Sequence, residues 1–523
     1  MSWVGVCELA DVLPDTGVCA LVNGRQIAVF RCDDSVFAID NFDPASEANV
    51  LSRGLLGDVK GERVVASPIY KHHFSLTTGR CLEDSSKSVN VYPARVLDGR
   101  VWVNATPQQQ VLRAKRRLVV VGNGMAGMRT VEELLQAAPD LYEITVFGAE
   151  PHVNYNRILL SPLLGGEKRV EEIVLHTPTW YAENGVKLHS GDAAVEIDRR
   201  RRVVRSRNGV EAPYDRLLIA TGSKPIVLPV PGARLQGVVT FRDLADVDAM
   251  IEAARCFRKA VVIGGGLLGL EAANALLRRG MDVTVVHLFS TLMERQLDEA
   301  AAALLKASLE ARGLKFHMPA KTTAILGAQR VTGVRFDDGV ELEADLVVMA
   351  TGVRPNTELG SRAGLRSERG ILVDDTMQTF DPCIYAVGEC VQHRNNTFGL
   401  VAPLWEQARV CALHLAEVGV SRYRGTVTAT QLKVTGIELY SAGDFAGASG
   451  AEALVMRDPR RGVYKRLVIR DNKLRGAVLY GDVRDGAWYS ELISTGRDIS
   501  TLRDQLLFGP AMVPGAEAEE ARA

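Results

Sequence analysis

Apolar and polar residues alternate along VCALVNGRQIAVFRCDDSVFAID, Val18 to Asp40. A period of two points one set of side chains inward and predicts antiparallel strands. Asn23-Gly24 and Asp33-Asp34 interrupt the alternation with hairpin-turn chemistry. Residues 1–104 therefore read as an all-β domain. The stretch TPQQQVLRAKRR is polar and basic, has no apolar period, and marks a linker over 105–116. At Leu118 the texture changes. RLVVVGNGMAGMRTVEELLQAA joins a continuous apolar run to a glycine cluster and then to a helical spacing, and KAVVIGGGLLGLEAANALLRRG repeats the unit. Strand, tight turn and helix twice over predict an α/β chain with two Rossmann-like dinucleotide-binding domains. The segment VTATQLKVTGIELYSAGDF opens a further, smaller α+β domain. The expected plan is 117–250 and 341–420 for two parts of one nucleotide domain, 251–340 for the other, 421–510 for the C-terminal domain and 511–523 for a disordered tail.

Composition narrows the function classes. The chain has 523 residues, 47% of them hydrophobic, and a formal net charge of −1. That length suits roughly three to four domains. A near-zero charge gives no electrostatic footprint for nucleic acid. The eight cysteines form no C-x-x-C pair, which fits a reducing cytoplasm rather than a disulfide scaffold. Glu8 sits early in MSWVGVCELADV with no basic region before it, so no signal peptide is expected. The longest apolar run carries a glycine cluster and Glu271, so a nucleotide loop explains it better than a membrane span.

The glycine loops carry the candidate chemistry. In the first, Gly122, Gly124 and Gly127 are each required for a different reason: a tight turn, close approach of amides to a pyrophosphate, and close packing of helix on strand. The next strand ends near Glu150, a candidate for ribose hydroxyls and equally a solvated loop acid. Gly264, Gly266 and Gly269 form the second loop. The position after its next strand holds His287, neither an acid nor an arginine, and the pattern favours NADH over NADPH; a plain strand-end residue is the other reading. ATG occurs twice after apolar strands, at Ala220-Thr221-Gly222 and at Ala350-Thr351-Gly352, and IYAVGEC follows with Gly388 and Glu389. These motifs resemble the flavoproteins with two dinucleotide-binding domains. The resemblance implies FAD, with Glu389 on its ribityl hydroxyls where an aspartate is commoner.

VVVGNGMAGMRTVEELL, ITVFGAEPHVNYNRILLS, LMERQLD, IYAVGECVQHR and YSELISTGRDISTLRDQLLFG together resemble the large subunit of assimilatory NAD(P)H nitrite reductases, from about Leu118 to Gly509. Residues 1–104 resemble the small, Rieske-like subunit of the same enzymes. The resemblance implies a flavin electron-entry module whose partner is the catalytic subunit of an assimilatory nitrate or nitrite reductase, and it leaves room for a homodimer. It departs from the family in two places. A Rieske site takes C-x-H and C-x-x-H, but the matching stretches read Asn41-Phe42-Asp43 and Ser67-Pro68-Ile69-Tyr70, with His72 and His73 out of register. Only Cys411 follows Gly399, too few thiols for the iron–sulfur and sirohaem domains. The expectation is therefore FAD and NAD(P)H, no metal site, no iron–sulfur cluster and no sirohaem.

The same resemblance suggests residue roles. Glu271 is the candidate catalytic acid near the nicotinamide. Its usual lysine partner follows a Leu-Ser pair, and here that stretch is LLSP with Pro162; support of the helix N-terminus is the plainer role for Glu271. Asn156 and Arg157 lie where relatives contact FAD, and Trp405 is a candidate to flank the flavin ring. An oxygen- or thiol-reducing NADH oxidase or disulfide-reductase-like enzyme is the enzymatic alternative. The absence of cysteine between Cys81 and Cys256 counts against its thiol-based versions. A slowly turning nucleotide-binding, redox-sensing subunit is the other.

Overall fold

The structure, a computed structural model, describes residues 3–512 apart from 34, 60, 85–86, 108–114, 420, 433 and 435. The expected turn residue Asp34, most of the expected linker and the expected tail beyond Met512 lie outside the described residues. The chain divides into two units, Met1–Lys115 and Arg116–Ala523.

The first unit is all-β. Thr16–Val22 pairs with Arg25–Cys32, and Val22 faces Arg25, which leaves Asn23-Gly24 as a two-residue turn. Both turn residues have positive φ, +50° and +81°, the conformation of a type I′ hairpin. Ser35–Asp40 and Val91–Tyr92 complete that sheet. Phe30, Ile39, Leu51, Val65 and Phe74 fill the space between it and a three-stranded sheet of Leu55–Val59, Glu62–Ala66 and His73–Ser75.

In the second unit, two five-stranded parallel sheets carry the glycine loops. The first has the order Val186–His189, Tyr142–Phe147, Arg116–Val121, Arg216–Ile219, Ile384–Ala386. Its strands are near-continuous apolar runs because both faces are covered. Register aligns the strand ends. Val121 lies opposite Phe147 and Ile219, and Ile219 lies opposite Ala386. The loops after all four strands therefore leave the sheet at one edge, where open parallel sheets hold ligands. The second sheet runs Val238–Thr240, Leu346–Met349, Lys259–Ile263, Asp282–Val286, Lys315–His317, again with strand ends in register at Ile263, Val286 and Met349.

The two ATG motifs mark the crossings between these sheets. Each runs directly into a short strand, Ser223–Pro225 or Val353–Pro355, and the two strands pair antiparallel. The Thr221 hydroxyl donates to the carbonyl of Asn356 (2.7 Å), and the Thr351 hydroxyl donates to that of Ile226 (2.8 Å). The second sheet thus draws on strands outside 251–340. Periodicity alone puts the boundaries at 250 and 340, whereas strand pairing places Val238–Thr240 and Leu346–Met349 in this sheet.

The C-terminal sheet is antiparallel, in the order Ala429–Gln431, Leu439–Gly443, Lys473–Tyr480, Val463–Arg470, Glu452–Asp458, with the helix Gly486–Thr495 against it. Its inner face shares one core with the second nucleotide sheet: Tyr464, Val478 and Tyr480 pack with Leu305 and Leu309. The Tyr464 hydroxyl donates to Asp298 at 2.6 Å. Among the described residues no helix is long and apolar enough to cross a membrane.

Candidate functional site

One cavity of about 800 Å³ opens at the shared edge of the first sheet. Its walls hold Gly122, Gly124, Glu150, Arg157, Ala220, Thr221, Gly222, Gly388, Glu389 and, from the second glycine-loop helix, Glu271. These sequence-selected residues are thus brought together. The others lie off the wall: Gly127, Asn156, Gly264, Gly266, Gly269, His287, Thr351, Gly352 and Trp405.

The two glycine loops repeat one geometry. Gly122 and Gly264 have φ of +115° and +126°, and a Cβ on either would lie 2.2 or 2.3 Å from the carbonyl oxygen of Ala220 or Ala350. The alanine of each ATG is the surface against which the turn closes. A Cβ on Gly127 or Gly269 would lie 2.8 or 1.9 Å from the carbonyl oxygen of Gly122 or Gly264. These third glycines let helix meet strand. Gly124 and Gly266, the helix N-caps, have nothing within 4 Å of an added Cβ. Open space in front of unsatisfied helix N-terminal amides is what a pyrophosphate needs. The chain therefore fits a dinucleotide at each loop.

Charged pairs line the cavity beyond the first loop. Arg157 pairs with Glu150 and donates to the carbonyl of Arg242 (3.1 Å). The Tyr155 hydroxyl donates to the other oxygen of Glu150 at 2.6 Å. Burial pulls the Arg157 guanidinium down, but Tyr155 and Glu150 outweigh it and hold its pKa above the ordinary value. Burial, aided by Glu150, pushes the Tyr155 phenol well up. On the far wall Glu389 pairs with Arg242 and accepts from the Ser223 hydroxyl at 2.9 Å. A row of polar groups thus runs from the end of the strand Tyr142–Phe147 to the turn Gly388–Cys390. Gly388 has φ of +91°, and its N–H donates to the buried Gln407 (2.9 Å).

Glu271 is the fifth residue of Leu267–Arg278, beyond the first turn, and only 5% exposed. Its carboxylate accepts from the Ser161 hydroxyl at 2.5 Å. The helix-support role expected from sequence does not match that depth. The Leu-Ser pair still meets the acid, with the serine in contact and Pro162 after it.

Three further candidates make contacts of their own. His287 turns back onto its own glycine loop, where its Nδ1 accepts from Gly265 N–H at 3.1 Å and its Nε2 donates to Glu294 at 3.1 Å. Asn156 caps a short 3-10 turn by accepting from Ile158 N–H. Trp405 faces Arg129, whose guanidinium lies 6.0 Å from the ring centre, while its neighbours Val401, Ala402 and Leu404 reach the cavity. Sequence reading missed Arg242, Ser223 and Tyr155. Arg242 sits in TFRDLADVD with no motif around it, and only the pairing of the sheets brings it to Glu389.

In the first unit, the loops that resemble Rieske loops meet. Asp43 is fully buried and accepts from the hydroxyls of Ser67 (2.5 Å) and Ser46 (2.8 Å) and from Ala45 N–H (2.8 Å). Burial raises its pKa, but these bonds outweigh burial and hold the carboxyl below its usual range. The Asn41 amide oxygen accepts from Ser52 N–H at 2.8 Å. Tyr70 is exposed, and His73 pairs with Glu83 (2.6 Å). These positions do not present the two thiolates and two imidazoles of a Rieske centre.

The family model for pyridine nucleotide-disulphide oxidoreductases matches residues 116–414. The chain belongs to that family. FAD and NAD(P)H fit it, as do the two glycine loops. Residues 429–497 match the C-terminal domain of rubredoxin NAD+ reductase, and residues 2–104 match the Rieske-like [2Fe-2S] domain. The last match corrects the expectation of no iron–sulfur cluster, because the family it names is an iron–sulfur one. The chain is 50% identical over 386 residues to nitrite reductase [NAD(P)H] of Bacillus subtilis, covering 74% of this chain and 48% of that one. It is 44% identical over 393 residues to the assimilatory nitrate reductase electron transfer subunit of the same organism, covering 75% and 51%. The chain spans about half the length of these curated relatives. Among solved structures, the covalent putidaredoxin reductase–putidaredoxin complex matches with a TM-score of 0.68 at 26% identity, covering 74% of this chain and 94% of that one.

Proposed function

We propose that the chain takes hydride from NADH onto FAD and passes electrons to the catalytic subunit of a nitrate or nitrite reductase in the cytoplasm. The observation that carries this reading is the cavity in which a glycine-loop cradle, two arginine–carboxylate pairs and the acid of the second glycine-loop helix converge. The relatives named as nitrite reductase and as a nitrate reductase electron transfer subunit support the choice of partner. Eight free cysteines support a reducing compartment.

Gly122, Gly124 and the amides opening Met125–Ala137 would hold the FAD pyrophosphate, with Glu150 for ribose hydroxyls and Glu389 for the ribityl chain. Arg157 and Arg242 balance the phosphate charge and tie the walls together. Bound FAD supplies a two-electron acceptor that can release electrons one at a time. Gly264, Gly266 and Gly269 would receive the second dinucleotide. Glu271, held by Ser161, stands where the second glycine-loop helix reaches the first cavity and orients the nicotinamide end. His287 is engaged by Gly265 and Glu294 and offers no guanidinium for a 2′-phosphate, which supports NADH over NADPH. A homodimer is compatible with this reading.

The test is an anaerobic absorbance titration with NADH and then NADPH, followed by addition of a purified reductase catalytic subunit. The expected result is stoichiometric bleaching of the flavin, faster with NADH, and NADH oxidation dependent on nitrate or nitrite only when the partner is present. A flavin that stays oxidised rejects the reading. Nitrite reduction by this chain alone rejects the need for a partner.

A further inference from the structure

Behind the first glycine loop lies a buried polar chain that the proposed hydride transfer does not use. Asn123 sits between Gly122 and Gly124 on the cavity wall. Its carbonyl accepts from the Asn154 amide Nδ2 (2.9 Å), and its side-chain oxygen accepts from the Tyr181 hydroxyl (2.7 Å). Asn154 is fully buried, and its Oδ1 faces Nδ1 of His176 at 3.0 Å. His176 is 4% exposed, and its Nε2 lies 2.6 Å from Oε1 of Glu132.

Hydrogen-bond bookkeeping orients the Asn154 amide. The carbonyl of Asn123 requires an N–H from Asn154, so the Asn154 oxygen must face the ring. Nδ1 of His176 therefore donates. Nε2 faces the Glu132 carboxyl group. The ring bridges that group and the Asn154 amide. Around it stand Glu132, with Arg129 and Glu133 on the same helix, Tyr181, and the ring of Trp180 at 4.2 Å. The hydrogen bond to His176 in turn holds the Glu132 carboxyl below its usual range.

We propose that His176 is a positioning residue for the first dinucleotide loop: its ring fixes Asn154, which fixes the backbone of Asn123 beside the pyrophosphate cradle. A side chain without the Nδ1 donor would leave the Asn154 oxygen unpaired. The amide would then be free to turn over and release the Asn123 carbonyl. Dinucleotide binding depends on this bond, because the bound state needs the loop in the place that the ring supports. The inference rests on FAD as the occupant of this cavity.

The experiment measures the FAD dissociation constant of the whole chain by flavin fluorescence, with apoprotein melting followed alongside. His176→Leu removes the donor to Asn154 and should bind FAD more weakly, by about tenfold. His176→Gln keeps an N–H donor and should recover part of that loss, which a packing role alone would not give; it also serves if the leucine variant fails to fold. In an Asn154→Ala background, His176→Leu should change the constant by less than about threefold, because the bond it removes is already gone. An unchanged constant in His176→Leu, or losses that simply add in the double variant, overturns the assignment. Failure of the unaltered chain to bind FAD would instead overturn the reading beneath it.

Discussion

Gly124→Ala separates a folding role from a binding role within one loop. Gly124 caps the helix Met125–Ala137 with φ −87° and ψ 179°, a conformation alanine adopts freely. No atom lies within 4 Å of an added Cβ. Alanine is a poorer N-cap than glycine by roughly 0.5–1 kcal/mol, and a stiffer unfolded chain returns about 0.4–1 kcal/mol. The apoprotein should therefore keep its stability to within about 1 kcal/mol. The new methyl occupies the open space before the helix amides and holds a phosphate away. Loss of one charge-assisted hydrogen bond costs about 1.5–3 kcal/mol, which is about a ten- to hundredfold weaker FAD dissociation constant. Gly122→Ala is the control. There φ is +115° and the Cβ would lie 2.2 Å from the Ala220 carbonyl oxygen, so the apoprotein itself should lose about 3 kcal/mol or more. Denaturant melts of apoprotein and fluorescence titration with FAD read the two effects separately. If Gly124→Ala binds FAD like the unaltered chain, the cradle has been assigned to the wrong surface.

The geometry sets three further outcomes. Glu271→Gln weakens the bond from Ser161 and should slow flavin reduction by NADH about ten- to hundredfold while leaving the FAD dissociation constant within about threefold; stopped-flow absorbance that shows an unchanged rate counts against a role at the nicotinamide. Arg242→Ala leaves Glu389 without its cation at side-chain exposures of only 19% and 13%, so stability should fall by about 1–3 kcal/mol and FAD should be lost more readily on gel filtration; unchanged melting and retention together would show that the pair is incidental. Asp375 accepts from Arg394 and His393, which lower its pKa from 3.8 to about 2. A carboxyl depressed by folding contributes above its unfolded value, and the contribution is lost as pH falls through the folded one. Asp375→Asn should therefore remove part of the stability loss between about pH 4 and pH 2, and acid-unfolding curves that superimpose on those of the unaltered chain would exclude it.

Local pattern was enough for much of this protein. Alternation and Asn23-Gly24 determine the first hairpin, because a two-residue turn with two positive φ angles admits few other residues. The two runs of apolar residue, glycine and helical spacing determine both Rossmann units, and the steric demands of Gly122, Gly127, Gly264 and Gly269 are each met by an atom a few residues or one strand away. What the tertiary structure alone decided depends on contacts between distant segments. Strand pairing, not periodicity, assigns Val238–Thr240 and Leu346–Met349 to the second sheet and turns the ATG motifs into crossings. Trp405 and His287 sit at motif-like positions, and only packing sets their contacts: Trp405 faces Arg129, and His287 accepts from Gly265 N–H and reaches Glu294. Arg242 and Glu389 are separated by most of the second sheet in sequence and by one ion pair in space. A sequence states which side chains are available; the register of the sheets states which of them meet, because only register brings the ends of non-adjacent strands to a common edge.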